Sequence, residues 1–213
     1  MSTKEAGPRA QKKAETRAAL KGAARRCFGE LGYAATQVGD IARAAGVAHG
    51  TFYVHFQTKE QLTDELLVEL NQTLVERLDK AWQKHAANPP FELAEALAET
   101  CLELWSRERE LLAAFAERLG QTASLDTLRE GISPPVAGFL VERLRAVAGD
   151  IPDAELVAQA LLGMWMRIGL RYVFGPRLSK KTAAALLARL SLGALAGVVP
   201  ALASSLPPAK GER

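Results

Sequence analysis

The chain has 213 residues, of which 48% are hydrophobic and 6% aromatic, with a formal net charge of +3. That is enough apolar material for one or two small domains, and it excludes a disordered chain. Two cysteines far apart among apolar neighbours, Cys27 and Cys101, exclude a zinc framework and read as reduced core thiols of a cytoplasmic protein.

The charge is unevenly spread. Residues 1–59 hold 10 Lys/Arg against 4 Asp/Glu, whereas residues 60–213 hold 17 against 20. A basic head on a weakly acidic body suits a polyanion partner, although solvated basic helices give the same count. Residues 1–10, MSTKEAGPRA, are polar, lack the apolar core of a signal peptide and are expected to fray. A first helix is predicted to follow, because Leu20, Ala23, Ala24, Cys27, Phe28 and Leu31 recur at helical spacing; Gly32 ends it.

Thr36 precedes a second run in which Val38, Ile41, Ala42 and Ala45 share a face, and Gly46 breaks it. So short a helix has to be held by tertiary contacts. Phe52 and Phe56, four apart on the next helix, supply the matching apolar edge. With both turned inward, Gly50, Thr51 and Val54 lie outward, flanked by Tyr53 and His55, with His49 in the first turn.

This displayed polar set is neither a metal site nor a catalytic one. His49 and His55 are six residues apart, about 240° round a helix, and cannot converge on one ion. The segment holds no Ser or Cys nucleophile. Two short helices joined by a tight turn, the second displaying small and hydrogen-bonding side chains, form the helix-turn-helix pattern for a DNA major groove.

The stretch Phe28 to Leu67, FGELGYAATQVGDIARAAGVAHGTFYVHFQTKEQLTDELL, resembles the DNA-binding domain of the TetR family of bacterial transcriptional regulators. The signs are the aromatic residue and ELG-Y after helix one, Thr36, IARAAGV, G-T-F-Y-V-H-F and Lys59. One departure is Ala48, where the family often has Ser or Thr; alanine leaves the recognition helix without a side-chain cap, at ~1 kcal/mol.

The resemblance implies DNA contacts at Thr36, Gln37, Ala48, His49, Gly50, Thr51, Tyr53, His55 and Lys59. Thr36 and Gln37, at the start of helix two, either meet a phosphate or simply cap the helix. Tyr53, His55 and Lys59 are expected on the sugar-phosphate backbone, where they position without reading sequence. Base reading falls to His49 and Thr51, with Gly50 allowing close approach and Val54 adding apolar contact. Arg17, Lys21 and Arg25, four apart on helix one, either reach a flanking phosphate or form a solvated face.

Helix four carries Leu62, Leu66, Leu70, Leu74, Leu78 and Trp82 at i+4 spacing and ends near Asn88-Pro89-Pro90. Prolines then bound helical runs of about 91–119, 135–148, 153–174 and 179–199, so the chain reads as all-α with about nine helices. The uncharged stretch Leu190 to Ala209 matches a membrane span in length, but its glycines and prolines favour a buried helix ending near Pro200. The expected organisation is a tail at 1–10, a helix-turn-helix domain at 11–58, a ligand-binding and dimerisation domain at 59–200, and a tail at 201–213.

In that second domain the run Leu161 to Phe174 is apolar nearly all round, and the last helix carries small residues at Ala185, Gly193, Ala194 and Gly197. These two helices resemble the pair through which TetR-type proteins dimerise. The ligand pocket that the family implies has candidates in Cys101, Trp105, Phe115, Met164, Trp165 and Met166, for each of which ordinary core packing is the favoured explanation. Arg167 and Arg171 either anchor an acidic ligand or pair with glutamates across a dimer. The resemblance implies a homodimeric, one-component repressor that binds a palindromic double-stranded DNA operator and is released by a small-molecule effector. It implies no cofactor, metal, membrane or enzymatic activity. The alternative is a small-molecule carrier or protein-interaction module whose basic head no longer binds DNA.

Overall fold

The computed structural model describes residues 7–122, 133–175, 178–200 and 202. The described residues form nine helices and no strand, the all-α architecture expected: α1 (Pro8–Leu31), α2 (Val38–Ala44), α3 (His49–His55), α4 (Lys59–His85), α5 (Pro90–Arg107), α6 (Arg109–Thr122), α7 (Pro134–Ala148), α8 (Ala154–Phe174) and α9 (Lys180–Ala196). No helix among these residues is long and apolar enough to cross a membrane.

Three helix boundaries differ from the sequence reading. α1 starts at Pro8, inside the stretch expected to fray, because a proline in the first turn has no N–H to leave unsatisfied. Residues 1–6 and 203–213 of the two expected tails lie outside the described residues. The run expected at 91–119 is two helices that part at Glu108. Trp105, Leu111 and Leu112 are all buried and keep helical phase across Glu108, so apolar spacing carries no sign of the break. The last helix stops at Ala196, ahead of Gly197.

The chain divides into two compact units. The first comprises α1, α2, α3, the start of α4 up to Glu69, and α6. Here α1 packs against both α2 and α6, and α2 packs against α3. Leu20, Phe28, Ile41, Phe52, Leu62 and Leu66 are buried, each contributing roughly 1.5–3 kcal/mol of transfer free energy. Leu31, expected on the same stripe, is instead 50% exposed.

Polar ties lace this first unit. Arg17 pairs with Glu65 and lies over the Phe56 ring, 4.1 Å from its centroid. The Lys21 ammonium lies 3.1 Å from Glu65 and 2.7 Å from Glu69, and Arg25 donates to Glu108 at 3.2 Å. These three cations, read as a phosphate contact or a solvated face, therefore join α1 to α4 and to Glu108, just ahead of α6. Burial pushes the Glu65 carboxyl upward, but the hydrogen bonds and charges of Lys21 and Arg17 outweigh it and hold the group below its ordinary value. On α6, Glu117 accepts from the backbone N–H groups of Tyr33 at 2.8 Å and Ala34 at 3.1 Å.

The second unit comprises the rest of α4 with α5, α7, α8 and α9. α5 packs against α8 and α9, α7 against α8, and α8 against α9. Leu70, Leu74 and Leu78 continue the buried stripe of α4. α8 approaches α5 so closely that a Cβ on Gly169 would stand 1.9 Å from Cζ3 of Trp105. Any side chain there would have to push the Trp105 ring aside. Cys27 and Cys101 are both free and buried, and burial raises both thiols above their ordinary range.

Candidate nucleic-acid interface

The turn between α2 and α3 is set by Gly46 at φ +72°, a left-handed conformation that a side chain would strain. The Val47 N–H reaches back to the Ala42 carbonyl at 3.0 Å, closing α2 as the chain leaves it. Ala48 is the N-cap of α3 and supplies no side-chain bond. What holds this two-turn helix is Phe52 at 0% exposure and Phe56 at 1%, their rings 5.7 Å apart.

With those rings inward, the opposite face of α3 stands in solvent. His49 and Gly50 are exposed, Tyr53 is 54% and Val54 68% exposed, and Thr51 is half-buried. A Cβ on Gly50 would meet nothing within 4 Å, so the face is bare there. The imidazole of His49 meets the Tyr53 ring edge-on, with centroids 5.4 Å apart. Donors, a hydroxyl and a methyl side by side on one protruding helix can read base edges in a major groove. His55 is half-buried at the end of α3, its carbonyl accepting from Arg17 and its Nδ1 buried without a partner. Burial, then the charges of Arg17 and Lys13, hold its imidazole below the ordinary value.

Two expected phosphate contacts have side chains engaged within the protein. Thr36 is 1% exposed, and its hydroxyl faces the carbonyls of Gly32 at 2.7 Å and Cys27 at 3.2 Å. A buried hydroxyl cannot reach DNA, so Thr36 closes α1 instead. The residue that enters α2 is Gln37, exposed, whose backbone N–H donates to Asp40 at 3.0 Å. The Lys59 ammonium donates to the carbonyls of Tyr33 at 2.6 Å and Thr36 at 2.8 Å and stands over the Tyr33 ring. It ties α4 to the loop before α2, and two of its three N–H donors are already committed.

The ligand candidates scatter. Phe115 lies on α6 in the first unit, half-buried. In the second unit, Cys101, Trp105 and Trp165 border a void of about 20 Å³. A larger cavity of about 190 Å³ is walled by α4, α5, α7, α8 and α9, and Trp165 borders it too. Met164 and Met166 are half-buried, Arg167 and Arg171 are exposed, and none of the four lines that cavity. Trp82, Arg143 and Ser191 do line it. Spacing could not have found them, since they come from three separate helices. Among the described residues no group of His, Cys, Asp or Glu is placed to hold a metal ion.

A model of bacterial regulatory proteins of the tetR family matches residues 22–66. The fatty acid metabolism regulator protein of Bacillus subtilis is 40% identical over 146 residues, covering 68% of this chain and 71% of that one. The transcriptional regulator AcrR of Shigella flexneri is 34% identical over 103 residues; this chain spans about half of its length, 47%, and 48% of this chain takes part. A solved TetR-family regulator from Syntrophomonas wolfei superposes with a TM-score of 0.70 at 16% identity, over 85% of this chain and 96% of that one, a likeness of fold. With a helix-turn-helix held on buried phenylalanines and a relative this similar beyond it, the chain belongs to the TetR family of transcriptional regulators.

Proposed function

We propose that this chain is a cytoplasmic repressor that binds a palindromic operator as a homodimer and is released by a small-molecule effector. The observation that carries the reading is the outer face of α3, where His49, Gly50, Tyr53 and Val54 protrude from a helix whose other face is fully buried. Dimerisation is assigned to α8 and α9; Leu186 and Leu190, one turn apart on α9, are each 41% exposed, as an interface face would be in a single chain. The effector is assigned to the 190 Å³ cavity of the second unit. The relative's name, a fatty acid metabolism regulator, describes that protein's role; lipid metabolism is accordingly one field in which to look for the controlled genes.

The test is selection of a binding site from random duplexes with the purified full chain, followed by titration of variants on the selected site and on random DNA. His49→Ala is expected to cost ~1–3 kcal/mol on the selected site and little on random DNA, as loss of a base contact does. Tyr53→Phe is expected to weaken both alike. If no sequence is enriched, or if affinity stays flat between low and physiological salt, the repressor reading fails and the carrier reading takes its place.

A further inference from the structure

We propose that the cavity between α4, α5, α7, α8 and α9 takes a small, uncharged, largely apolar molecule, a single ring or short chain, carrying one oxygen that accepts a hydrogen bond from Ser191. This rests on the reading of the chain as an effector-released regulator and gives the effector its chemical class.

Size sets the first limit. A cavity of ~150 Å³ holds one benzene, whereas drug-sized ligands need roughly 300–1,000 Å³. At about 190 Å³ this one holds on the order of six to ten non-hydrogen atoms. A long acyl chain exceeds it.

Polarity sets the second. The wall is mainly apolar, with Leu93, Leu97, Leu144, Leu161, Leu195, Trp82 and Trp165 among its lining. Ser191 is 6% exposed, and its oxygen accepts from Trp165 Nε1 at 2.8 Å. That bond uses Ser191 as acceptor and leaves its hydroxyl hydrogen to be donated. Arg143, also in the wall, has a buried Nε–H without a partner. Both unmet buried groups are donors, so the complementary ligand atom is an acceptor. Asn88, half-exposed on the wall, is already bonded to His85 at 3.3 Å.

Charge sets the third. Among the described residues that line the cavity Arg143 is the one cation, and it is ion-paired with Asp79. A carboxylate ligand would have to share Arg143 with Asp79, so one guanidinium charge would face two anions, and the ligand's carboxylate would leave water for a mainly apolar wall. A neutral carbonyl or ether oxygen meets no such penalty. A second, wider hollow of about 1110 Å³ between α7 and the start of α8 is lined by Glu142, Arg145, Asp150, Asp153 and Glu155, a charged wall unsuited to this ligand.

The experiment uses the full-length protein with acetophenone, ethylbenzene, benzoate and palmitate, followed by calorimetry and by the fluorescence of the cavity tryptophans. Acetophenone is expected to saturate and to bind roughly two- to tenfold more tightly than ethylbenzene, the worth of one net hydrogen bond. Benzoate is expected to bind at least tenfold more weakly than acetophenone, and palmitate not to compete with it. Ser191→Ala should erase the preference for acetophenone over ethylbenzene while leaving ethylbenzene affinity within about twofold. Circular dichroism establishes that this variant folds; if it does not, the order of affinities in the unaltered protein decides alone. Tighter binding of benzoate or palmitate, or no saturation by any probe at millimolar concentration, overturns the assignment. Operator affinity of the unliganded protein is measured in parallel: loss there defeats the regulator reading, whereas intact operator binding with the wrong order of probes defeats only the ligand class.

Discussion

The two units of this chain are held together in different ways. In the helix-turn-helix unit, charged side chains cross from helix to helix: Arg17 to Glu65, Lys21 to Glu69, Lys59 to two carbonyls, Glu117 to two amides. In the second unit the side-chain ties between helices include Arg143 with Asp79 and Trp165 with Ser191, both beside a cavity. Directional bonds fix one geometry, whereas apolar walls around a void leave room to repack. On the proposed function, a surface that matches DNA and a pocket that admits an effector would place these opposite demands on packing.

The comparison is broken most forcefully by opposite substitutions in the two cores. Phe52→Ala should destabilise the first unit by ~3–5 kcal/mol, because its fully buried ring is, with Phe56, the main apolar anchor of α3. Gly169→Ala should cost the second unit only ~1–3 kcal/mol, since repacking around Trp105 relieves part of the overlap. Denaturant unfolding of each variant measures both. A larger loss at Gly169 than at Phe52 would show that the second unit is the less adaptable of the two.

A subtler probe concerns Lys59. Lys59→Met deletes the bonds to the carbonyls of Tyr33 and Thr36 and is expected to lower stability by ~1–3 kcal/mol. The salt dependence of DNA binding should keep its slope. A slope shallower by about one unit would instead return Lys59 to the phosphate backbone.

The smallest effect is with pH. Because the imidazole of His55 is held below its ordinary 6.5, the folded unit favours the neutral ring. Its contribution to stability is complete above pH 6.5 and is lost as pH falls from there through the lower folded value. Thermal melts of the protein and of His55→Gln should diverge in that window and run parallel above it. Parallel curves throughout would mean that solvent reaches the ring freely.

Sequence carried the first unit further than the second. Phe52, Phe56 and Gly46 act within one turn of their neighbours, so spacing alone revealed the inward and outward faces of α3. Thr36 was misplaced because a threonine before a helix looks the same whether it caps that helix or turns back to the one before. The destinations of Arg17, Lys21 and Arg25 depend on glutamates some 40 to 80 positions away, and spacing has no reach over that distance. The break at Glu108, where the chain passes from the second unit back into the first, left apolar phase intact, and in the second unit the wall of the cavity draws on Trp82, Arg143 and Ser191, which share no local pattern.

The acceptance of the Tyr33 and Ala34 amides by Glu117 bears on how such proteins can be recombined. α6 belongs to the first unit, yet α5 before it and α7 after it belong to the second. A gene fragment cut after α4 would deliver a helix-turn-helix whose α1 has lost a packing partner and whose connecting loop carries two amides with no acceptor. A chimera that borrows this reading head for another sensor therefore has to transplant α6 with it, as a second and separate splice. The usable module is discontinuous in the gene although it is continuous in space.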